Sequence, residues 1–411
     1  MSTSLIIRRN PIVTGTLARL PSSKSISNRA LILNALSGSQ SNLSNLATAR
    51  DTKLMKNLLE SQGLTLDAMD AGTTIRFLTA YYAISDQHKI LTGTARMKER
   101  PIALLVEALR QIGASISYRE KDGFPPIEIN PFGGQRTTSI ALPGNVSSQY
   151  ISALMMVAPK LPHGLEIQMK GKVGSRPYIE MTSALMKEFG VKVELKDKTI
   201  RIPHSTYRGT KLTVEPDWSA LSYWLAFTAL AEEATLVLKN VPSHSIQGDR
   251  TIVGIMEKLG VRTSFHQDNV ILEKSSDIET SLDLDFTNYP DLAQTVLPVC
   301  ALKGIKGTFT GLESLYIKET DRIAALQNEL SKVGAKLEET HKGVFELTPG
   351  ELPNKKITIN TYHDHRMAMG FAPWSTMIDL EVEAPEVVQK SYPEFWDDLR
   401  SLGFDIQTVS N

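Results

Sequence analysis

An amphipathic helix that closes on a glycine and gives way to a strand of alternating polar and apolar positions recurs along the chain. The copies read LLESQGLTLD closing at Gly63, ALRQIGASISY at Gly113, LMKEFGVKVEL at Gly190, IMEKLGVRTSF at Gly260, ELSKVGAKLEE at Gly334 and DLRSLGFDIQT at Gly403. The glycine is expected to supply the left-handed residue on which a helix ends, and the alternation after it marks a half-buried strand. Six copies of one helix-plus-strand unit predict a duplicated α/β (α+β) architecture, with helices covering sheets and three units to a domain. They exclude an all-helical solenoid. Successive glycines are 50, 77, 70, 74 and 69 residues apart, so the first interval is short by about one hairpin.

A length of 411 residues exceeds what one core usually supports, so two domains are expected. Near the midpoint, TKLTVEPDWSALSYWLAF carries a strand into Glu215-Pro216-Asp217 and opens a helix at Trp218 or Ser219 with Asp217 as its cap, a natural hinge. Lys plus Arg equals Asp plus Glu at 45 each, which argues against a protein that coats nucleic acid or a membrane surface. Any basic site must be local. The single cysteine, Cys300, lies in the apolar run VLPVCALKG and reads as a buried, inert thiol, so internal disulfides are excluded. No apolar run approaches the ~20 residues of a membrane span, and MSTSLIIRRN has no signal-peptide core. A cytoplasmic protein is expected.

Against this neutral background, cations gather at turns that open helices. LPSSKSISNRALIL places Ser22, Ser23 and Ser25 as capping residues beside Lys24 and Arg29, with no acidic residue in the first turn, so the helix start is electropositive. LDAMDAGTTIRFL offers Gly72, which lets a ligand approach closely, with Thr73, Thr74 and Arg76 as donors. LTGTARMKERPI brings Arg96, Lys98 and Arg100 ahead of Pro101, SLYIKETDRIAAL packs Lys318, Glu319, Asp321 and Arg322, and TYHDHRMAMGF opens a helix with Asp364, His365 and Arg366. Singly, each reads as a capped helix; Glu319 and Arg322, for instance, are spaced for an i,i+3 ion pair. Five together suit a ligand with two or more phosphates or carboxylates. His363 and His365 could share a strand face, but with no partnering cysteine or HExxH pattern a structural role is favoured over a metal site. LPGNVSSQYISAL presents Ser147, Ser148 and Gln149 at another helix start, GKVGSRPYIEM offers Ser175 and Tyr178, and NYPDLAQT sets Asp291 where a carboxylate can stay ionised as a base.

In this order, and most closely at RMKERP, SSQ, KETDR and DHRMAM, these segments resemble the 3-phosphoshikimate 1-carboxyvinyltransferase family over essentially the whole chain. The resemblance implies two lobes, each of three βαβαββ units, closing around the substrates, with the chain crossing twice. Residues 1–20 and 217–411 would then form one lobe and residues 21–216 the other. It implies that shikimate 3-phosphate is held by Lys24, Ser25, Arg29, Ser147, Ser148, Gln149, Ser175, Tyr178, Asp291 and Lys318. Phosphoenolpyruvate would be held by Lys24, Gly72, Arg100, Gln149, Arg322, Arg366 and Lys390. The implied reaction adds the substrate hydroxyl to C2 of phosphoenolpyruvate and then eliminates phosphate, with Asp291, Glu319 and Lys24 sharing the proton transfers and no metal or organic cofactor. The implied protein is a monomer with no nucleic-acid or membrane partner.

The chain departs from the family pattern at Ser23 (usually Gly), Asp70 (commonly Asn), Ser314, Tyr316 and His363. A carboxylate at Asp70 would be unfavourable beside an anion unless turned away. Two other readings are separable. UDP-N-acetylglucosamine 1-carboxyvinyltransferases carry Cys five residues before the loop arginine, where this chain has Ala95. A non-catalytic binder of phosphate compounds would gain nothing from Asp291 and Glu319 among its cations.

Overall fold

The structure, a computed structural model, describes residues 3–410. The chain divides into two compact units: a host unit made of the N-terminal stretch to Ser22 and everything from Glu215 on, and an inserted unit, Ser23–Val214. These boundaries fall two residues inside those expected from the sequence. Ser22 bridges Pro216 and the Asp217 N–H donates to the Pro21 carbonyl at 2.8 Å, which ties both strands of the crossover into the host unit.

Among the described residues the strands form six sheets, three in each unit, and no sheet draws strands from both units. One inserted-unit sheet shows the repeat in full. Thr65–Asp67 runs into the helix Gly72–Ala83 and on to Lys89–Thr92, which pairs parallel to it with Leu66 opposite Leu91. The helix Ala103–Ile112 then leads to the hairpin Ser115–Tyr118/Ile127–Asn130, whose second strand pairs antiparallel to Lys89–Thr92 with Leu91 opposite Ile127. A crossover helix is needed only for the parallel pair, so this repeat is a βαβαββ sequence.

Five of the six glycines, Gly113, Gly190, Gly260, Gly334 and Gly403, have the expected positive φ, although Gly260 lies inside the strand Leu259–His266 and not at the end of its helix, Ile252–Glu257. Gly63 does not, because the helix Arg50–Glu60 ends on the extended Ser61. The strand beyond it, Thr65–Asp67, opens the next unit instead of starting a hairpin. The first unit is therefore only a two-stranded parallel sheet, Asn42–Ser44 beside Lys211–Thr213, and lacks the hairpin that the short spacing pointed to.

The host unit closes a sheet with the chain's start: Thr3–Ile7 lies between Leu380–Glu383 and Ile406–Ser410, with Leu5 opposite both Val382 and Thr408. Ile12–Leu17 joins a second sheet, parallel to Glu233–Lys239. Each unit has its own core. The host core centres on Trp218, Trp224, Phe227, Trp374 and Phe395, and the inserted core includes Ile32, Phe77, Leu109, Met155 and Phe189. The host helices Trp218–Leu230 and Ala293–Leu302 are buried on nearly every side, which explains their lack of a polar face. Among the described residues no helix is long and apolar enough to cross a membrane.

Candidate active site

In the inserted unit the site starts at the helix Lys24–Leu36. Ser23 caps it, its Oγ accepting the Ile26 N–H at 3.4 Å, so the serine in place of glycine finishes the helix start. One turn in, Arg29 is fully buried. Its Nε donates to Thr182 Oγ1 at 2.7 Å, one terminal nitrogen to the Ser25 carbonyl at 3.0 Å and the other to Ser152 Oγ at 3.0 Å. The guanidinium also lies 5.3 Å from the Phe77 ring centre and 5.9 Å from that of Tyr178. Every one of these partners is neutral, and burial lowers the Arg29 pKa to about 10, with Tyr178 opposing the shift. A buried cation held only by neutral groups gains strongly from an incoming anion.

Lys24 Nζ lies 3.4 Å from Asp51 Oδ2, and the carboxylate of Asp51 is buried in the first turn of Arg50–Glu60. Gly72 opens its helix with no side-chain cap from Ala71, leaving the first N–H groups unclaimed by a cap. Buried guanidinium groups crowd this start. A Cβ at Gly72 would lie 2.7 and 2.8 Å from the terminal nitrogens of Arg100 and 2.8 Å from one of Arg76. Arg76 donates to Gln149 Oε1 at 2.7 Å, and Gln149 Nε2 donates to Thr73 Oγ1 at 3.0 Å, binding this helix start to that of Ser148–Val157. Ser147 caps the latter, accepting the Gln149 N–H, and Ser175 takes a left-handed φ of 52° just before the helix Arg176–Glu188 that carries Tyr178. Thus Ser25, Arg29 and Tyr178 form one group, and Gly72, Arg76, Arg100 and Gln149 another. Arg96 and Lys98 belong to neither; they pair with Glu99 and Glu120 at the surface.

In the host unit the centre is Asp291, in the single turn Pro290–Leu292 ahead of Ala293–Leu302. Its Oδ1 lies 2.9 Å from an Arg322 terminal nitrogen and 3.1 Å from Lys318 Nζ, and its Oδ2 lies 3.3 Å from Arg366. Burial alone would raise its pKa, but Lys318, Arg366 and Arg322 hold the carboxyl well below the ordinary carboxylate range, against the opposing charge of Glu319. Arg322 is buried and bound by three carboxylates: Asp291, Glu319 at 2.9 Å and Asp364 at 2.7 Å. Its pKa rises because Asp364, Glu319 and Asp291 together outweigh the burial that would lower it. Glu319 is thus the i,i+3 partner of Arg322 that the spacing allows, and its other oxygen faces buried Lys390 at 3.9 Å. Asp364 caps the helix His365–Phe371, accepting the Arg366 N–H at 2.9 Å.

The family model of EPSP synthase (3-phosphoshikimate 1-carboxyvinyltransferase) matches residues 8–70 and 56–399. The chain belongs to this family. It is 44% identical over 393 residues to the 3-phosphoshikimate 1-carboxyvinyltransferase of Bacteroides fragilis, 95% of each chain, and 36% identical over 431 residues to that of Shewanella pealeana, 96% of this chain and 99% of the other. Among solved structures, an EPSP synthase from Acinetobacter baumannii superposes with a TM-score of 0.78 at 18% identity, covering all of both chains. The enolpyruvyl transferase NikO from Streptomyces tendae gives 0.75 at 13%, covering 100% and 99%. These two likenesses speak to the shared fold.

As an EPSP synthase family member, the chain accommodates its departures locally. The Asp70 carboxylate turns to Arg50 at 2.5 Å, while its backbone carbonyl accepts from Arg100. The Tyr316 hydroxyl donates to Glu339 at 3.1 Å, the Ser314 side chain is buried, and His363 is exposed on a residue with positive φ. Sequence reading passed over two buried carboxylates. Asp51 lies beside Lys24, and Asp249 accepts a short hydrogen bond from Ser219, whose Oγ in turn lies 3.3 Å from Arg366. Nothing in the sequence marks Asp249 except the turn-like QGD. Asp364 was visible only as a helix opener, and its contact with Arg322 spans 42 positions.

Proposed function

We propose that the chain transfers the carboxyvinyl group of phosphoenolpyruvate to the 5-hydroxyl of shikimate 3-phosphate, releasing phosphate, in the biosynthesis of aromatic amino acids. Family membership and the Asp291 centre support this reading. An ionised carboxylate set among three cations, with a second carboxylate adjoining, suits proton transfer between anionic reactants and is superfluous in a pure anion binder.

In this reading Ser25, Arg29, Ser147, Ser148, Ser175 and Tyr178 take the shikimate phosphate and ring, with Lys318 and Asp291 at the hydroxyls. Gly72, Arg100, Gln149, Arg322, Arg366 and Lys390 take phosphoenolpyruvate, and Lys24 serves both substrates. Asp291 accepts the proton of the attacking hydroxyl as its oxygen bonds to C2 of phosphoenolpyruvate. A proton reaches the methylene carbon from Glu319 or Lys24, giving a tetrahedral intermediate. Loss of that proton from the new methyl group re-forms the double bond as the C2–O bond to phosphate breaks. Arginines and lysines stabilise the charge on the departing phosphate. The enzyme acts as a cytoplasmic monomer on small molecules alone. Incubation with both substrates should release inorganic phosphate at a rate requiring each of them; release with neither order of addition would refute the assignment.

A further inference from the structure

The loop joining the strand Ile357–Ile359 to the helix His365–Phe371 turns on two consecutive residues in the left-handed region, Tyr362 at φ 52° and His363 at φ 56°. The Asp364 N–H closes the turn on the Thr361 carbonyl at 2.8 Å. Positive φ at both central residues of a turn is the habit of glycine, asparagine and aspartate, and a bulky tyrosine stays there only where its surroundings impose it. The residues that follow belong to the candidate site. Asp364 grips Arg322 with both oxygens, at 2.7 and 3.3 Å, and caps the helix that carries Arg366.

The restraint on the turn comes from Glu329. Seven positions beyond Arg322, it lies two turns along the same face of the helix Arg322–Ser331, and both side chains are buried. Glu329 Oε1 accepts the Tyr362 hydroxyl at 2.8 Å, and Oε2 accepts the Asn360 N–H at 3.2 Å. Lys332 lies 2.6 Å from the same Oε2 and reaches on to the Thr358 carbonyl at 2.8 Å. One helix face therefore holds the loop at two points, Glu329 at Asn360 and Tyr362, and Arg322 at Asp364. An i,i+3 pair with Lys332 alone would suit a solvated glutamate; it does not account for a fully buried carboxylate whose other oxygen binds a tyrosine.

We propose that Glu329 and Tyr362 are positioning residues for phosphoenolpyruvate: they impose the left-handed turn that sets Asp364 against Arg322 and Arg366 against Asp291. They act through Asp364, and the proposal rests on the assignment of Arg322 and Arg366 to that substrate. Without the hydroxyl bond the turn relaxes toward ordinary φ, and Asp364 loosens its hold on both the Arg322 guanidinium and the Arg366 N–H.

Tyr362→Phe keeps the ring and removes the bond. KM for phosphoenolpyruvate is expected to rise about tenfold, with KM for shikimate 3-phosphate changed by less than about threefold. Amide exchange at Arg366, read by nuclear magnetic resonance, should quicken at least about tenfold relative to Val382 in the neighbouring sheet. Adding His363→Gly, which frees one of the two left-handed positions from strain, should recover at least about threefold of the lost KM. Tyr207→Phe is the matched control: it removes a buried hydroxyl bond to the Met156 carbonyl in the inserted unit, and should lower the thermal midpoint while leaving both KM values as they were. Glu329→Gln, with one acceptor oxygen in place of two, should show the same signs at smaller size and carries the test if Tyr362→Phe does not fold. An unchanged KM for phosphoenolpyruvate, an unchanged Arg366 exchange, or an equal rise in KM with Tyr207→Phe would overturn the proposal. If the unaltered chain releases no phosphate, the reading of its function fails, while Arg366 exchange still decides whether Glu329 and Tyr362 hold the turn.

Discussion

At the scale of single residues, the site is set by which charges are buried and what they face. Asp291 and Arg29 are opposites: a carboxylate surrounded by three cations and a guanidinium surrounded by neutral groups. The first is held ionised by its cations. With Asp291 as the proposed base, Asp291→Asn keeps the volume but removes it, so kcat is expected to fall by roughly 10²–10⁴-fold while shikimate 3-phosphate still binds by calorimetry. Near-normal turnover would remove Asp291 from the mechanism. Gly72 makes a different prediction. A methyl group there meets three guanidinium nitrogens at 2.7–2.8 Å, and these are the ends of flexible side chains, so the backbone can stay while Arg76 and Arg100 move. Gly72→Ala is expected to raise KM for phosphoenolpyruvate about tenfold, or ~1.4 kcal/mol, with the thermal midpoint held within about 2 °C. An unchanged KM would show that these arginines do not hold the donor.

At the scale of elements, short relays join helix starts to the site. Arg366 on His365–Phe371 reaches Ser219 in the first turn of Trp218–Leu230, and Ser219 donates to Asp249 in the turn Gly248–Thr251. Burial raises the Asp249 pKa from 3.8 to about 6, opposed by Arg366 and Ser219 and assisted by Asp291 and Asp217. Between those two values the folded chain holds a proton that the unfolded chain has lost. This contribution to stability is therefore full at low pH, declines as pH rises through the window, and is gone above it. Its full size is about 3 kcal/mol. Asp291, shifted the other way, contributes stability that is lost only at more acidic pH. Urea denaturation between pH ~4 and ~7 should therefore show a fall in stability that Asp249→Asn reduces, with Glu215, Glu329 and Asp398, also raised by burial, supplying the remainder; an unaltered slope would mean that Asp249 is ionised throughout. Such relays explain what the sequence could disclose. The repeat was readable because five of its glycines do take positive φ at or shortly after a helix end, and the missing hairpin was readable from spacing, although Gly63 itself gave a false signal. Lys24, Arg29 and Asp291 stood out because their neighbours along the chain are chemically unusual. Asp51, Asp249 and the Arg322–Asp364 pair did not, since a lone acidic residue at a helix start looks the same in sequence whether solvated or buried against a distant cation.

At the scale of the whole molecule, the division into sheets decides what can exist alone. All strands of Ser23–Val214 pair with one another, the unit has its own core, and its first and last strands, Asn42–Ser44 and Lys211–Thr213, lie side by side. The host unit is less separable along the chain, because Thr3–Ile7 is an interior strand of a sheet completed by residues from the C-terminal end. Residues 23–214 expressed alone are therefore expected to unfold in one cooperative transition, whereas a chain starting at Glu215 lacks two strands and should not. The fragment retains Ser25, Arg29, Ser147, Ser148, Ser175 and Tyr178 but not Asp291, Arg322 or Arg366. It should accordingly bind shikimate 3-phosphate, by amide shifts in nuclear magnetic resonance, while releasing no phosphate from phosphoenolpyruvate. Arg29→Met in the fragment should abolish that binding, because the neutral shell of Thr182, Ser152 and the Ser25 carbonyl offers an anion nothing comparable. A folded fragment blind to shikimate 3-phosphate would place the phosphate elsewhere, and binding that survives Arg29→Met would leave the buried guanidinium a purely structural cation.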